Sequence, residues 1–588
     1  MIFGKSLILK YALHLFRSEH IHNQNFTIKN SYRVSELPNL SSTEKVKIAS
    51  NGLRGTIKES LKDSYTGAIR EDDQSLIKFH GMYQQDDRDR REERSGKKLE
   101  WLYSFMLRLR LPGGLLTPQQ WITLHDVAGE HTTGVIKITT RQTIQLHGIL
   151  KSHIKPTMAA FNLQGLDSIA TCGDVNRNVC CTSNPAESPV YDEVFQYAAK
   201  ISEMAKPKTR AWYEIWLGEE KLTEKTEDDP LYKDKYLPRK LKVGIAVPPN
   251  NDVDIFINDV VLIAIVENDQ LIGFNIGAGG GLGSTHGNSN TYARLASVLG
   301  FVENDEEKIL KAVYEVITVQ RDFGNRSDRK QARLKYTIDK LGIDKYREEV
   351  EKRCGFKLEA ERPYTFTQRQ DRYGWVQDYK GNSHFTVFVE NGRILDDDNI
   401  QLKEGLYKLA SLGKNNFHFT ANQNVILSDI KETDRAEVEA LLQEYGIIEH
   451  TENAGALRKN AIACVALNTC PLALAEAQRY LPTLISKIEP LLEKHSMEND
   501  DIVLRMTGCP NGCGRSPNAE IGFVGTGPGR YNLHIGGDRL GLRLNTKFKD
   551  NIDESQILST LDELFGVYQQ EKKTEETFGD FSYRKWIL

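Results

Sequence analysis

No apolar run in these 588 residues is long enough to span a bilayer as a helix, which argues against an integral membrane protein. There is no excess of positive charge. Lys and Arg number 77 against 81 Asp and Glu, a net charge of −4, so composition gives no electrostatic case for nucleic-acid binding. Cysteine is sparse: eight residues, with no clear secretory signal, argue against a disulfide framework and for the reducing cytoplasm. No dinucleotide fingerprint is intact. The run Gly277-Ala-Gly-Gly-Gly-Leu-Gly283 puts Leu282 where the last glycine of G-x-G-x-x-G should stand. No flavin- or nicotinamide-binding module is readable. The segment Met1 to Phe16 mixes Lys5 and Lys10 with Ile8, Leu9, Leu13 and Phe16. It lacks a clean apolar stretch and a small-residue cleavage site, so residues 1–44 read as a poorly ordered extension.

What is present is more specific. Half of the cysteines fall in two short clusters: Cys464-Val-Ala-Leu-Asn-Thr-Cys470 and Cys509-Pro-Asn-Gly-Cys513. Four gathered thiols hold a soft metal or an iron–sulfur cluster. Pro510, Gly512 and Gly514 predict a tight loop whose free N–H groups point at sulfur. Pro471 predicts a helix starting at Cys470, with its positive end toward the thiolates. Two readings stay open beside the cluster. One is a structural zinc site, although zinc knuckles usually use a shorter spacing. The other is two reduced pairs without a ligand.

The chain also contains a weak copy of itself. Phe105-Met-Leu-Arg-Leu-Arg-Leu-Pro-Gly113 and Phe385-Thr-Val-Phe-Val-Glu-Asn-Gly are alternating strands ending in a glycine turn. Each leads through a helical stretch to a second strand, Thr140 to Leu146 and Ala421 to Leu427. Farther on, Gly273-Phe-Asn-Ile-Gly277 matches Tyr531-Asn-Leu-His-Ile-Gly536. A pseudo-two-fold molecule follows, with one half rich in cations and the other carrying the cysteines.

The cations lie on strands. Side chains two apart share a strand face, so Arg108 and Arg110 form one pair on the strand Leu107 to Leu111. Arg141, Gln145 and His147 form a second set, and Lys240 and Lys242 a third. Arg177 sits in a polar turn. Any one set alone reads as a solvated face. Together, on strands otherwise built for a core, they call for a compensating anion.

Several stretches match a known family. Cys470-Pro-Leu-Ala-Leu-Ala-Glu-Ala477, Arg505-Met-Thr-Gly-Cys-Pro-Asn-Gly-Cys-Gly-Arg515, Phe79-His-Gly-Met-Tyr-Gln-Gln-Asp-Asp-Arg88 and Tyr236-Leu-Pro-Arg-Lys240 resemble the sulfite and nitrite reductases, the sulfite branch above all. The resemblance covers roughly residues 45 to 588. It implies a 4Fe-4S cluster coupled to siroheme. Cys464, Cys470, Cys509 and Cys513 would be the cluster ligands, with Cys513 bridging to the siroheme iron. Arg108, Arg177, Lys240 and Lys242 would surround sulfite. Arg141, Gln145, His147 and Asn511 would lie along the macrocycle, whose carboxylates supply the missing anion. The implied donor is a flavoprotein alpha subunit using NADPH, with ferredoxin as the alternative donor and nitrite as the alternative substrate. A non-catalytic zinc protein is the reading from a different class.

The expected fold is mixed α+β and internally duplicated: two ferredoxin-like half-domains and two larger α/β domains around one cofactor site. The expected divisions are an extension (1–44), a wrapping segment (45–100), half-domain 1 (101–165), a siroheme and substrate domain (166–355), half-domain 2 (356–445), and an iron–sulfur domain with a tail (446–588).

Overall fold

The alternating strands pair as two five-stranded antiparallel sheets of matching order. The first runs Met82–Asp86, Tyr103–Arg108, Ile144–Ile149, Ile136–Ile138, Arg393–Ile394. The second runs Gly374–Gln377, Ser383–Val387, Val425–Ile430, Asn416–Phe419, Leu115–Leu116. The fifth strand of each sheet comes from the other half. Arg393 and Ile394 pair with Lys137 and Ile136, while Leu115 and Leu116 pair with His418 and Phe417. The glycine turns seen in the sequence make this exchange fit. Gly114 has φ +90°, and a Cβ there would stand 2.7 Å from the Phe419 carbonyl oxygen; Gly392 has φ +67°, and a Cβ there would stand 2.7 Å from the Ile138 oxygen.

The computed structural model describes residues 39–208, 216–217, 220–221, 229–233 and 236–588. Most of the expected N-terminal extension lies outside the described residues. Its last three positions belong to the helix Ser42–Ala49, whose buried Glu44 pairs with Lys47 and, at 2.7 Å, with Arg326.

Each half-domain packs helices on its sheet. Pro118–His131 and Ile154–Leu163 serve the first, Leu402–Leu412 and Arg435–Glu444 the second. The first of these starts sharply because Thr117 and Gln120 form a capping box around Pro118. The two half-domains share one hydrophobic core. Trp121, fully buried, stacks on Phe417 of the other half with ring centres 4.2 Å apart.

The two larger domains repeat each other more closely than the sequence suggests. In one, strands Cys180–Cys181, Val243–Ala246 and Val260–Glu267 run parallel, and Gln270–Ala278 and Ser297–Glu303 then follow antiparallel. In the other, Ala461–Ala463, Leu504–Thr507 and Ile521–Gly527 are parallel, followed antiparallel by Arg530–Ile535 and Thr546–Ile552. Each sheet leads into an 18-residue helix, Glu306–Phe323 or Glu554–Glu571, capped by Asp305 or Asp553. The duplication is therefore present in every layer. Among the described residues no helix is long and apolar enough to cross a membrane.

Because one core serves both half-domains, Trp121→Ala should weaken both at once. Truncating a buried tryptophan costs about 3–5 kcal/mol. A lower urea midpoint, with protection lost in both sheets by hydrogen exchange, is the expected result; loss confined to the first sheet would refute the shared core.

Candidate cofactor and anion site

The four paired cysteines stand at one end of two adjacent parallel strands. Cys464 directly follows Ala461–Ala463, and Cys509 follows Leu504–Thr507 by two residues. The carboxyl ends of parallel strands are where open α/β sheets place ligands. Close packing brings the two loops together. A Cβ on Gly508 would stand 2.6 Å from Ala466 Cβ, and one on Gly514 would stand 3.0 Å from the Cys464 nitrogen. Cys464 Sγ accepts the Gly508 N–H at 3.3 Å and the Thr507 hydroxyl at 3.5 Å. Asn511 turns its amide to Cys509 Sγ at 3.3 Å.

No helix starts at Cys470. The chain makes turns from Pro471 and enters its helix only at Leu481–Lys494. The expected dipole is replaced by backbone N–H groups of the following turn, which favour the Cys470 thiolate. Burial still dominates. It pushes Cys464 up to about 12 and Cys470 up to about 11, with the neighbouring Cys513 adding to both. Cys509 is raised by burial and then by Cys513. Thiols so placed ionise readily only against a metal centre.

The spacing of the sulfurs sorts the metal readings. A tetrahedral zinc with bonds of about 2.3 Å needs its sulfurs about 3.8 Å apart. Among the described residues, no three of these sulfurs gather within 4.8 Å of one another.

The cations converge beside this loop. Arg108 donates to Gln145 Oε1 at 2.8 Å and to Cys172 Sγ at 3.1 Å. Arg177 is held by the Thr171 and Gly173 carbonyls at 2.9–3.1 Å. Arg141 donates to the Asn178 and Val243 carbonyls at 2.5 and 2.8 Å and to the Asn258 side chain, while its Nε is buried without a partner. His147 bonds through Nδ1 to Gln85 at 2.9 Å and to Thr469 at 3.2 Å. Burial, then Arg108 and Lys137, push its imidazole down to about 3, so it is neutral. Its Nε2 is buried and unpartnered. Orphaned polar atoms of this kind are where a bound polar group is expected.

Lys240 and Lys242 precede the strand Val243–Ala246. Burial lowers both. On Lys240 the surrounding Arg239, Lys242 and Arg333 add to it; Lys242, beside Arg141 and Arg333, comes down to about 7. The Cys513 thiol opposes the fall at both lysines. The same thiol also raises the other three cysteines, and the Cys513 carbonyl accepts the Thr140 hydroxyl at 3.1 Å, in the turn of Arg141, so Cys513 stands where the two constellations meet.

One expected pair is split. The strand ends at Arg108, and beyond it the backbone turns toward Asp167. Arg110 therefore leaves the site and pairs with Asp167 at 2.9 and 3.1 Å. Likewise Arg141 lies in the turn before its strand, while Gln145 and His147 lie on it as expected. Tyr83, Gln85, Cys172, Arg239 and Arg333 join the site without having been singled out in the sequence. Tyr83 and Gln85 occupy alternate positions of Met82–Asp86 and face inward together. That periodicity was readable.

Behind both constellations sits Asp254. Its carboxylate binds Arg505 at 2.6 Å, Arg515 at 2.7 Å, and Arg369. Burial would raise this acid, but the three guanidiniums hold it well below the carboxylate range. A cavity of about 690 Å³ lies on the far side of the cysteine loop, against Pro510, Gly512, His286 and His534. None of the converging cations lines it.

Comparison with known proteins agrees with this geometry. The profile described as "Nitrite and sulphite reductase 4Fe-4S domain" matches residues 197–358, and "Nitrite/Sulfite reductase ferredoxin-like half domain" matches 102–163 and 377–445. The first match covers most of one large domain; the paired cysteines lie in the other, its topological repeat. A "Sulfite reductase [NADPH] hemoprotein beta-component" from Leptospira biflexa is 60% identical over 93% of this chain and 98% of its own length. One of the same description from Vibrio vulnificus is 50% identical over 96% of this chain and 98% of its own. The Mycobacterium tuberculosis NirA structure superposes with a TM-score of 0.75 at 25% identity, covering 93% of this chain and 96% of that one.

Serine at Cys464, Cys470 or Cys509, one at a time, should lower bound iron and acid-labile sulfide together, since serine is a harder and poorer ligand. Zinc analysis should stay at background in the wild type. Full zinc with no labile sulfide would contradict the cluster reading.

Proposed function

The chain belongs to the nitrite and sulfite reductase family, and from that premise we propose that it is the catalytic hemoprotein of an NADPH-dependent sulfite reductase, turning sulfite into sulfide for cysteine synthesis in the cytoplasm. Siroheme and a 4Fe-4S cluster, when bound, would pass six electrons from an outside donor to sulfite. The observation that carries the reading is the contact of the two constellations at Cys513, whose carbonyl accepts the Thr140 hydroxyl at 3.1 Å, in the turn that carries Arg141.

The rest is work for side chains. Cys464, Cys470, Cys509 and Cys513 would hold the cluster, with Cys513 the ligand shared with the siroheme side of the site. Arg141, Gln145 and His147 line the macrocycle. Asn511, expected beside it, donates to a cluster sulfur and fixes the loop. Arg108 and Arg177 bind and orient the oxyanion, because guanidinium keeps its protons and offers forked donors. Each lost oxygen needs protons. Lys240 and Lys242 are the donors, both made more acidic by burial, Lys242 down to about 7.

Electrons must arrive from outside. The relatives' description as a beta-component points to a partner component, and we assign that role to a flavoprotein alpha component that oxidises NADPH, with ferredoxin as the alternative. The isolated chain should reduce sulfite from reduced methyl viologen and leave NADPH unoxidised.

Lys242→Met should retain the siroheme spectrum and lower kcat by about 100-fold, the scale of a lost general acid. The sign of its pH effect follows from its role. An ammonium donor is charged below its pKa and lost as pH rises through it, so wild-type turnover should fall on the alkaline side. That limb should be absent in Lys242→Met. Bound tetrapyrrole carboxylates would raise the lysine again, placing the limb above 7. A variant that merely fails to load siroheme would make this lysine an anchor instead.

A further inference from the structure

The outer face of the second half-domain sheet carries a side-chain cluster that the cofactor site does not use. Phe385 and Val387 turn into the shared core, so His384 and Thr386 lie on the opposite face of the strand Ser383–Val387. On one side His384 pairs with Val376, and two residues beyond Val376 the chain supplies Asp378. On the other side the register with Val425–Ile430 slips. Ser383 pairs with Ile430 and Phe385 with Leu427, so Ser428 and Asp429 together oppose His384. This is a β-bulge, and Asp429 at φ +61° is its left-handed residue. A bulge re-aims a side chain, and this one brings Asp429 to His384.

The three side chains converge. His384 Nε2 stands 3.2 Å from Asp378 Oδ2, and one ligand atom from each of Asp378, His384 and Asp429 lies within 4.8 Å of the others. With bonds of about 2.1–2.2 Å, two ligands at right angles on an ion stand about 3.0–3.1 Å apart. Both carboxylates are held in place. Asp378 Oδ1 accepts the Lys380 and Asn382 N–H groups at 2.9 and 2.8 Å, and Asp429 Oδ2 accepts from the Asn416 amide at 3.0 Å and the Ser428 hydroxyl at 2.8 Å. Two further observations point to a cation. Among the described residues neither carboxylate has a lysine or arginine partner, although both acids face one imidazole. Thr386, fully buried, has an unpartnered hydroxyl on the same strand face, about 7 Å along the strand from His384. An ion-bound water is the partner it lacks.

We propose that Asp378, His384 and Asp429 bind a six-coordinate divalent ion of the manganese type. The side chains of Asp378 and His384 are 4% and 7% exposed, while Asp429 lies on the surface, so the open side leaves room for water ligands. Two carboxylates, one imidazole and water suit manganese. The imidazole disfavours magnesium and calcium, and the lack of a thiolate or second imidazole disfavours tetrahedral zinc. The ion staples the turn 378–382 to the bulge. That turn also touches the first large domain, where the Tyr379 N–H donates to the Ala186 carbonyl at 3.0 Å and its hydroxyl donates to Asp192. The ion thus braces a contact between half-domain 2 and that domain. It lies outside the cysteine and cation constellations and does not rest on the sulfite reductase reading.

The test titrates the full-length holoprotein with Mn²⁺ and counts the free ion by its six-line EPR signal. One saturable site is expected. Asp429→Asn, a surface change, and His384→Gln should each weaken it by about 10-fold or more, since loss of even an outer-shell partner costs that much. Mn²⁺ should raise the Tm of the wild type by more than that of either variant. The visible spectrum and methyl viologen-driven sulfite reduction should stay at wild-type values in both variants, which separates loss of the ion from loss of the fold. No saturable uptake below about 1 mM overturns the proposal and leaves His384 and Asp378 as a hydrogen-bonded pair. So does uptake that either variant leaves unchanged, since other surface carboxylates would then be the binders. Wild-type protein inactive toward sulfite would fail the sulfite reductase reading and leave the Mn²⁺ result standing.

Discussion

The site depends on one carboxylate. Asp254 reaches out of the first large domain and binds three buried guanidiniums from distant parts of the chain. Arg505 lies on the strand that delivers Cys509, and Arg515 lies two residues past Cys513. The loop carrying two of the four thiols is therefore fastened at both ends to the same acid. Arg515 also donates to the Thr140 carbonyl, in the turn that carries Arg141. One ion cluster thus aligns the cysteine loops with the cation side of the site. Burying such a group is expensive unless every charge is paired, and breaking a buried pair costs about 3–5 kcal/mol. Three guanidiniums on one carboxylate leave a positive excess behind the loops. Four thiolates with bridging sulfide, a negative assembly, are the natural counterpart.

A second sorting of charge operates on the opposite side. Two buried acids lie among the cations, and both are already engaged. Asp174 takes Arg329 and Lys47, and Asp259 takes Arg333. These acids neutralise the outer cations. The inner arginines, Arg108, Arg141 and Arg177, are held instead by carbonyls, amides and a thiol, which orient a charge without cancelling it. An anion entering this space meets cations already aimed and largely desolvated, where electrostatic attraction is strong. The depressed lysines follow from the same arrangement, so proton supply and anion attraction have one physical origin.

Local chemistry was legible in the sequence and long-range geometry was not. The cysteine spacing, with Gly512 and Gly514, announced two tight cysteine loops, because a motif that short is fixed by its own turns. The duplication showed through strand periodicity and glycine turns. Arg110 was misread because period-two reasoning assumes that the strand continues, and Tyr103–Arg108 stops two residues short of it. The helix expected at Cys470 was misread because Pro471 favours a turn as readily as a helix start. Asp254, Cys172 and the exchanged strands gave no signal at all. The acid bonds across 251 and 261 positions to Arg505 and Arg515, and a two-residue strand is too short to show a period.

Those two-residue strands explain how the halves came to differ. Each half-domain sheet lacks its fifth strand unless the other half supplies it, and the two sheets share the core around Trp121 and Phe417. Neither repeat is a finished unit, so the pair folds as one object. Within such a pair only the interface must satisfy both halves; the sites need not be equivalent. One repeat places cations on strands next to the interface, and the other places thiols at strand ends facing them. Because the exchanged strands and the Asp254 cluster cross the same boundary, the two half-sites are held in register by the elements that hold the fold. Cys513 stands where they meet, its carbonyl bonded to Thr140 in the turn that carries Arg141. The geometry of the joint site is then a consequence of the duplication and not an addition to it.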